Sequence, residues 1–249
     1  MMIYGATDIG KVRKENQDSY AIRADFPSGH KAGVVCDGMG GPAGGQLASS
    51  IAVRAYMDCL SRRLQPGMDV SELRRLSREA VSEANYAVWS EAQRMGYQSM
   101  GTTLVSAVAC ASGVLVSNVG DSRAYFLHGD RIFRVTRDHS LVQDMIERGE
   151  LTEDEARVHP KRNLITRALG PDSAVVCDNY ACQMGPGDAL LLCTDGLVNT
   201  LTDPEILAVV RGTNPEACPA ELIRAARGRG APDNVTAVLM LNPERGDPL

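Results

Sequence analysis

The residues with the most chemical capacity in this chain are aspartates placed at the ends of apolar runs. In AGVVCDGMGG, Asp37-Gly38 follows one run; in DALLLCTDGL, Asp195-Gly196 follows another; in APDNVTAVLML, Asp233-Asn234 precedes a third. RKENQD near the start supplies Arg13 and Asp18, and NVGDSRAY in the middle supplies Asp121. Taken singly, each is a turn signal, because Asp-Gly and Asp-Asn favour tight turns. Taken together, carboxylates at strand ends can converge on one face, where their repulsion must be offset by cations. Oxygen ligands with no paired His or Cys select hard ions, Mg²⁺ or Mn²⁺. Glycine after the aspartate would also let its own carbonyl approach a metal closely.

These side chains need strands and helices to position them. Alternating or continuous apolar runs predict strands over Ile3–Asp8, Ser19–Ala24, Ala32–Asp37, Thr102–Cys110, Val114–Val119, Arg123–Leu127, Arg131–Val135, Val175–Tyr180, Ala189–Thr194 and Val235–Leu241. Ala48, Ile51, Ala52, Ala55 and Cys59 recur at helical spacing after the turn GMGGPAGG. A second helix is expected to open at Ser71 as N-cap and stop at Gly96, with Leu73, Leu76, Ala80, Ala84, Val88 and Met95 on its apolar side. Ser140–Arg167 reads as short helices, with a Thr152/Glu155 capping box and a break at His159-Pro160. Pro204 and Pro219 are expected at the first positions of two more helices. Strand blocks separated by paired helices predict an α+β layered sandwich rather than a doubly wound parallel sheet. No repeat or linker divides residues 1–249, so one domain is expected.

Bulk properties exclude several functions. A net charge of −5 argues against general nucleic-acid affinity and against a polybasic membrane anchor. Met100–Gly120 carries no charge, but Ser112-Gly113 splits it into two β-branched runs, which fits two buried strands better than a membrane span. The opening MMIYGATDIGKVRKENQD has no apolar core or cleavage site of a signal peptide. Seven cysteines without a C-x-x-C pair fit free thiols in a reducing cytoplasm, and a cysteine zinc site is not expected.

RKENQD, VCDGMGG, MGTT, NVGDSRAY, RDHS, HPKRNLITRALG, LLLCTDGL and DNVT occur in this order from end to end. In this the chain resembles the metal-dependent protein phosphatases of type 2C, in their bacterial serine/threonine branch. The resemblance implies a four-layer αββα sandwich, two stacked and mainly antiparallel sheets flanked by helices, with a small flap subdomain at about 140–167. It implies that Asp37 bridges two Mn²⁺ or Mg²⁺ ions, that the Gly38 carbonyl binds one, and that Asp195 and Asp233 complete the other site. Asp18 would hold water on a metal, Arg13 would clamp the phosphate, and Asp121, with Asp195, would hold a third, weaker cation. The expected reaction is hydrolysis of phosphoserine and phosphothreonine on proteins by in-line attack of a metal-bridging water, without a phosphoenzyme. Its expected setting is a cytoplasmic monomer that opposes a serine/threonine kinase.

The scale of the reaction agrees with metals. Phosphate-monoester hydrolysis needs an acceleration of up to about 10²¹, whereas one positioned acid or base supplies only about 10²–10⁴. A two-metal clamp is a device of sufficient size. The chain departs from the family pattern where Met39 replaces the histidine of eukaryotic members, Gln17 replaces an acid, and Asn199 stands in place of an aspartate near the metals. His139 is the tempting substitute acid, with a structural role as its alternative. Two other functions compete: a metal-dependent phosphatase of small metabolites, and a non-catalytic binder of phosphoproteins. GMGGPA can be forced into a dinucleotide pattern, but Asp58 would then lie inside a helix, and no Gly-Lys-Ser/Thr follows to make a P-loop.

Overall fold

The computed structural model describes residues 1–41, 44–97 and 99–243. Its strands are β1 (Met2–Asp8), β2 (Asp18–Arg23), β3 (Lys31–Met39), β4 (Gly101–Thr102), β5 (Leu104–Cys110), β6 (Gly113–Val119), β7 (Arg123–His128), β8 (Arg131–Arg134), β9 (Asp178–Cys182), β10 (Ala189–Cys193) and β11 (Val235–Leu241). Its helices are α1 (Gly44–Arg63), α2 (Val70–Met95), α3 (Leu141–Glu147), α4 (Glu153–Val158), α5 (Asp195–Val198), α6 (Asp203–Gly212) and α7 (Cys218–Gly228). The strands form a five-stranded sheet, β1-β11-β10-β7-β8, and a six-stranded sheet, β2-β3-β5-β6-β9 with β4 beside β3. Every pairing is antiparallel.

Side-chain alternation along the strands separates three layers of core. Val34, Cys36, Leu104 and Val108 point to α1 and α2, while Val35, Val105 and Ala107 meet Leu190, Leu192, Val238 and Met240 from the other sheet. Ala189, Leu191 and Cys193 point outward again, to α6 and α7 residues such as Ile206, Leu222 and Ala226. Both faces of the central strands are therefore dry, which explains why the strands read as continuous apolar runs. The order is helices, sheet, sheet, helices, as expected for the αββα sandwich.

Local details differ from the sequence expectation where a second signal was in play. Asp69, not Ser71, caps α2, because Glu72 stands three residues after Asp69 and closes a reciprocal capping box. Met95 lies past the buried face and is 46% exposed. Thr103 interrupts the expected strand over Thr102–Cys110, spending its backbone N–H on the Asp37 carbonyl. The last strand of the second sheet runs over Asp178–Cys182 rather than Val175–Tyr180, since Val175 packs toward the α1–α2 core instead of into a ladder. Pro204 and Pro219 occupy second helical positions, behind Asp203 and Cys218. Among the described residues, no helix is long and apolar enough to cross a membrane.

Candidate active site

One end of the sandwich gathers the aspartates. β2 and β3 pair so that Asp18 lies directly opposite Asp37. β10 ends at Cys193, so Asp195 opens the short helix α5 instead of prolonging the strand. Asp233 immediately precedes the neighbouring β11, and Asp121 lies between β6 and β7. Arg13, Asp37, Gly38, Asp121, Asp195 and Asp233 line a single cleft of about 560 Å³. Asp18 lies beneath it, 6% exposed.

Neither Asp-Gly pair makes a glycine turn. Gly38 and Gly196 keep ordinary negative φ, so the turn explanation fails for both. Glycine at these positions also has a steric reason, separate from an open carbonyl. A Cβ on Gly38 would collide with the Gly45 carbonyl at the start of α1, and one on Gly196 would collide with the Asn234 carbonyl. Two backbones cross at each point, so only glycine leaves room.

Hydroxyl and amide groups hold the carboxylates in place. Thr102 Oγ1 donates to the Asp37 carbonyl (2.8 Å), and the Asp37 N–H donates to Thr103 Oγ1 (2.9 Å). Thr194 and Thr236 both donate to Asp18 Oδ2, at 2.9 and 2.7 Å. Asn234 receives the Gln17 N–H and donates to the Ile9 and Glu15 carbonyls, fastening the loop that presents Arg13. Arg13 itself donates to Asp233 Oδ2 at 2.7 Å. These supporting residues lay inside the motifs MGTT, CTDG and DNVT, where a hydroxyl next to a carboxylate in an apolar run was the available signal.

Electrostatics mark the cluster as unfavourable for protein alone. Burial raises Asp18 to about 7, against the pull of the Thr236 and Thr194 hydroxyls, and Asp195 and Asp233 add to the rise. Asp37 is pushed well above the carboxylate range by burial first, then by Asp18, Asp195, Asp121 and Asp233. Burial raises Asp121 and Asp195 as well, with Asp195 and Asp233 their respective largest repulsive neighbours. Asp121 is not the partner of Arg123, whose guanidinium is instead forked onto Asp138 at 2.7–3.1 Å.

The residues fit hard divalent cations. Asp18 Oδ1 is buried and has no hydrogen-bond partner among the described residues, and it lies beside carboxylates that a cation would neutralise. Among the described residues, no three His, Cys, Asp or Glu groups close into a cage by themselves. Mg²⁺-like ions keep several waters and use one or two carboxylates each. Asn199 Nδ2 donates to Asp195 Oδ2 at 3.0 Å, so this departure from the pattern removes a repulsion and adds a tether.

His139 takes no part in the cleft. It is 1% exposed; its Nδ1 accepts from the Gly120 N–H (3.0 Å) and its Nε2 faces Asp178 Oδ2 (3.2 Å). None of the described residues lining the cleft is a histidine.

Known proteins share this architecture. The family model for protein phosphatase 2C matches residues 11–221. The serine/threonine phosphatase stp of Listeria innocua is 34% identical over 238 residues, covering 94% of this chain and 93% of its own length. The serine/threonine phosphatase of S. agalactiae superposes with a TM-score of 0.88 at 31% identity, covering 96% of this chain and 99% of that one. The catalytic domain of the phosphatase PstP, solved with two manganese ions, superposes at 0.80 with 29% identity and 96% coverage of both chains. With both the sequence and the fold matched over nearly the whole length, this chain belongs to the protein phosphatase 2C family.

Proposed function

We propose that this protein is a metal-dependent serine/threonine phosphatase acting on phosphorylated proteins, a serine/threonine kinase among them. The observation that carries the reading is the joint placement of Asp37, Asp195, Asp233 and Arg13 on one cleft, above an Asp18 oxygen that has no partner among the described residues. Asp37, the Gly38 carbonyl, Asp195 and Asp233 would hold two Mn²⁺ or Mg²⁺ ions, and Asp121 with Asp195 would hold a third. Such ions lower the pKa of bound water and neutralise the phosphate. Asp18 Oδ1 would accept a hydrogen bond from water in that shell. Arg13 lies at the cleft mouth, about half exposed, where its planar fork can leave Asp233 for two phosphate oxygens. Met39 stands where eukaryotic members carry a histidine, so among the described residues of the cleft no imidazole serves to protonate the departing seryl or threonyl oxygen.

Residues 1–249 act as one catalytic domain with a flap at about 140–167. The flap is closed at its base by Leu141 N–H to the Leu164 carbonyl and Thr166 N–H to the His139 carbonyl. Arg137 binds Asp144 and Glu147 and fixes α3 to the body. The test is phosphate release from a phosphothreonine peptide compared with a panel of phosphorylated metabolites. Peptide turnover should dominate; turnover confined to metabolites would reverse the assignment of substrate.

A further inference from the structure

A second depression, of about 530 Å³, adjoins the catalytic cleft and shares Met39 and Ile165 with it as a common wall. Its remaining lining includes Pro171, Ala174, Val175 and Val176. Val176 is 70% exposed, an unusual position for a valine beside a catalytic cleft. Two charged residues also line it: Asp172, and Arg167, which is already engaged, donating to Asp178 Oδ1 (2.9 Å) and to the Val176 carbonyl (3.2 Å). The far wall is held in shape by the buried Asn85 of α2, which accepts the Gly170 N–H and donates to the Asp172 carbonyl. The groove is therefore preformed, largely apolar and continuous with the cleft.

We infer that this groove receives an apolar side chain flanking the phosphorylated residue, so that the enzyme prefers phosphoproteins with such a neighbour. The inference rests on the protein-phosphatase reading of the cleft and goes beyond it by naming a sequence preference. An extended polypeptide advances about 3.3 Å per residue. Once a phosphorylated side chain occupies the cleft, a nearby residue must cross the Met39–Ile165 wall or leave the surface. On the groove side it meets Val176, Ala174 and Pro171, where an aliphatic group loses water at no cost in unpaired charge. An acidic residue there would be desolvated without a free cation, since Arg167 is already engaged.

The test is kcat/KM on phosphothreonine peptides with flanking positions randomised, run beside a small aryl phosphate. Wild type should favour Leu, Ile or Val over Asp or Glu at one flanking position by about tenfold, the scale of a modest apolar pocket contact. Val176→Asp and Ala174→Glu, both at exposed positions, should abolish that preference and leave aryl phosphate turnover unchanged. A wild-type profile flat at every position, or a preference that survives both substitutions, would overturn the inference. Aryl phosphate turnover with no peptide cleaved would instead overturn the protein-phosphatase reading, and the groove's role with it.

Discussion

Arg13 and Asp233, 220 residues apart in sequence, are joined by a 2.7 Å hydrogen bond at the mouth of the cleft. An ion pair this exposed stabilises a fold by only about 0–1 kcal/mol, so its position matters more than its strength. Arg13→Ala should raise KM on phosphopeptides by roughly tenfold or more, the loss of one charge-assisted pair. Arg13→Lys should recover part of this, because a point charge replaces a fork. Thermal unfolding should barely change. Unchanged KM and kcat in both variants would show that Arg13 never leaves Asp233 for substrate.

Asp18 makes a separate prediction, because its Oδ2 is saturated by Thr194 and Thr236 while Oδ1 has no partner among the described residues. Asp18→Asn should weaken the apparent affinity for Mn²⁺ by about 10–100-fold, as expected for an outer partner of a metal site. Circular dichroism should remain native. A Mn²⁺ titration that overlays the wild type would remove Asp18 from the site.

His139 is predicted to be structural. Its burial lowers the imidazole pKa below the ordinary value of about 6.5. A lowered folded-state value means that the unfolded chain binds more protons, so this contribution is complete above about 6.5 and is lost as pH falls toward the folded value. His139→Gln should therefore lose less stability than wild type on going from pH 7 to pH 5 in denaturant titrations. The shape of its pH–rate profile should not change. Disappearance of one limb of that profile would make His139 the acid after all.

Four charged residues of the flap, Glu147, Arg148, Glu150 and Arg157, divide into distinct roles. Glu147 is tied to Arg137, and Arg148 pairs with Glu150, so these hold the flap rather than substrate. Arg157 faces the cavities beside Asp195, and among the described residues no carboxylate pairs with it. Arg157→Ala should lower kcat/KM on phosphoproteins by roughly tenfold, about 1.4 kcal/mol, and spare a small aryl phosphate. Equal losses on both substrates would place Arg157 in support of the metal site.

Much of this was legible in the chain itself. The strand Val235–Leu241 is bounded as its apolar run is bounded, and Met100–Gly120 folds into the hairpin that Ser112-Gly113 implies. The aspartates were legible as a set because each adjoins such a run. Their supports were not, since Thr194 and Thr236 lie 176 and 218 residues from Asp18 and nothing local links them. The reason for Gly38 was hidden similarly, in a backbone crossing with Gly45 that no spacing reveals. Val175 and Val176 misled because apolar residues beside a cleft and apolar residues in a ladder look alike in sequence.

The most direct test of the central claim, that carboxylates in this cleft work by holding divalent cations, is phosphate release by metal-stripped protein. After exhaustive chelation, hydrolysis of a phosphothreonine peptide should fall to background and return on addition of Mn²⁺ or Mg²⁺. Full activity in protein shown by elemental analysis to carry no divalent metal would contradict the account.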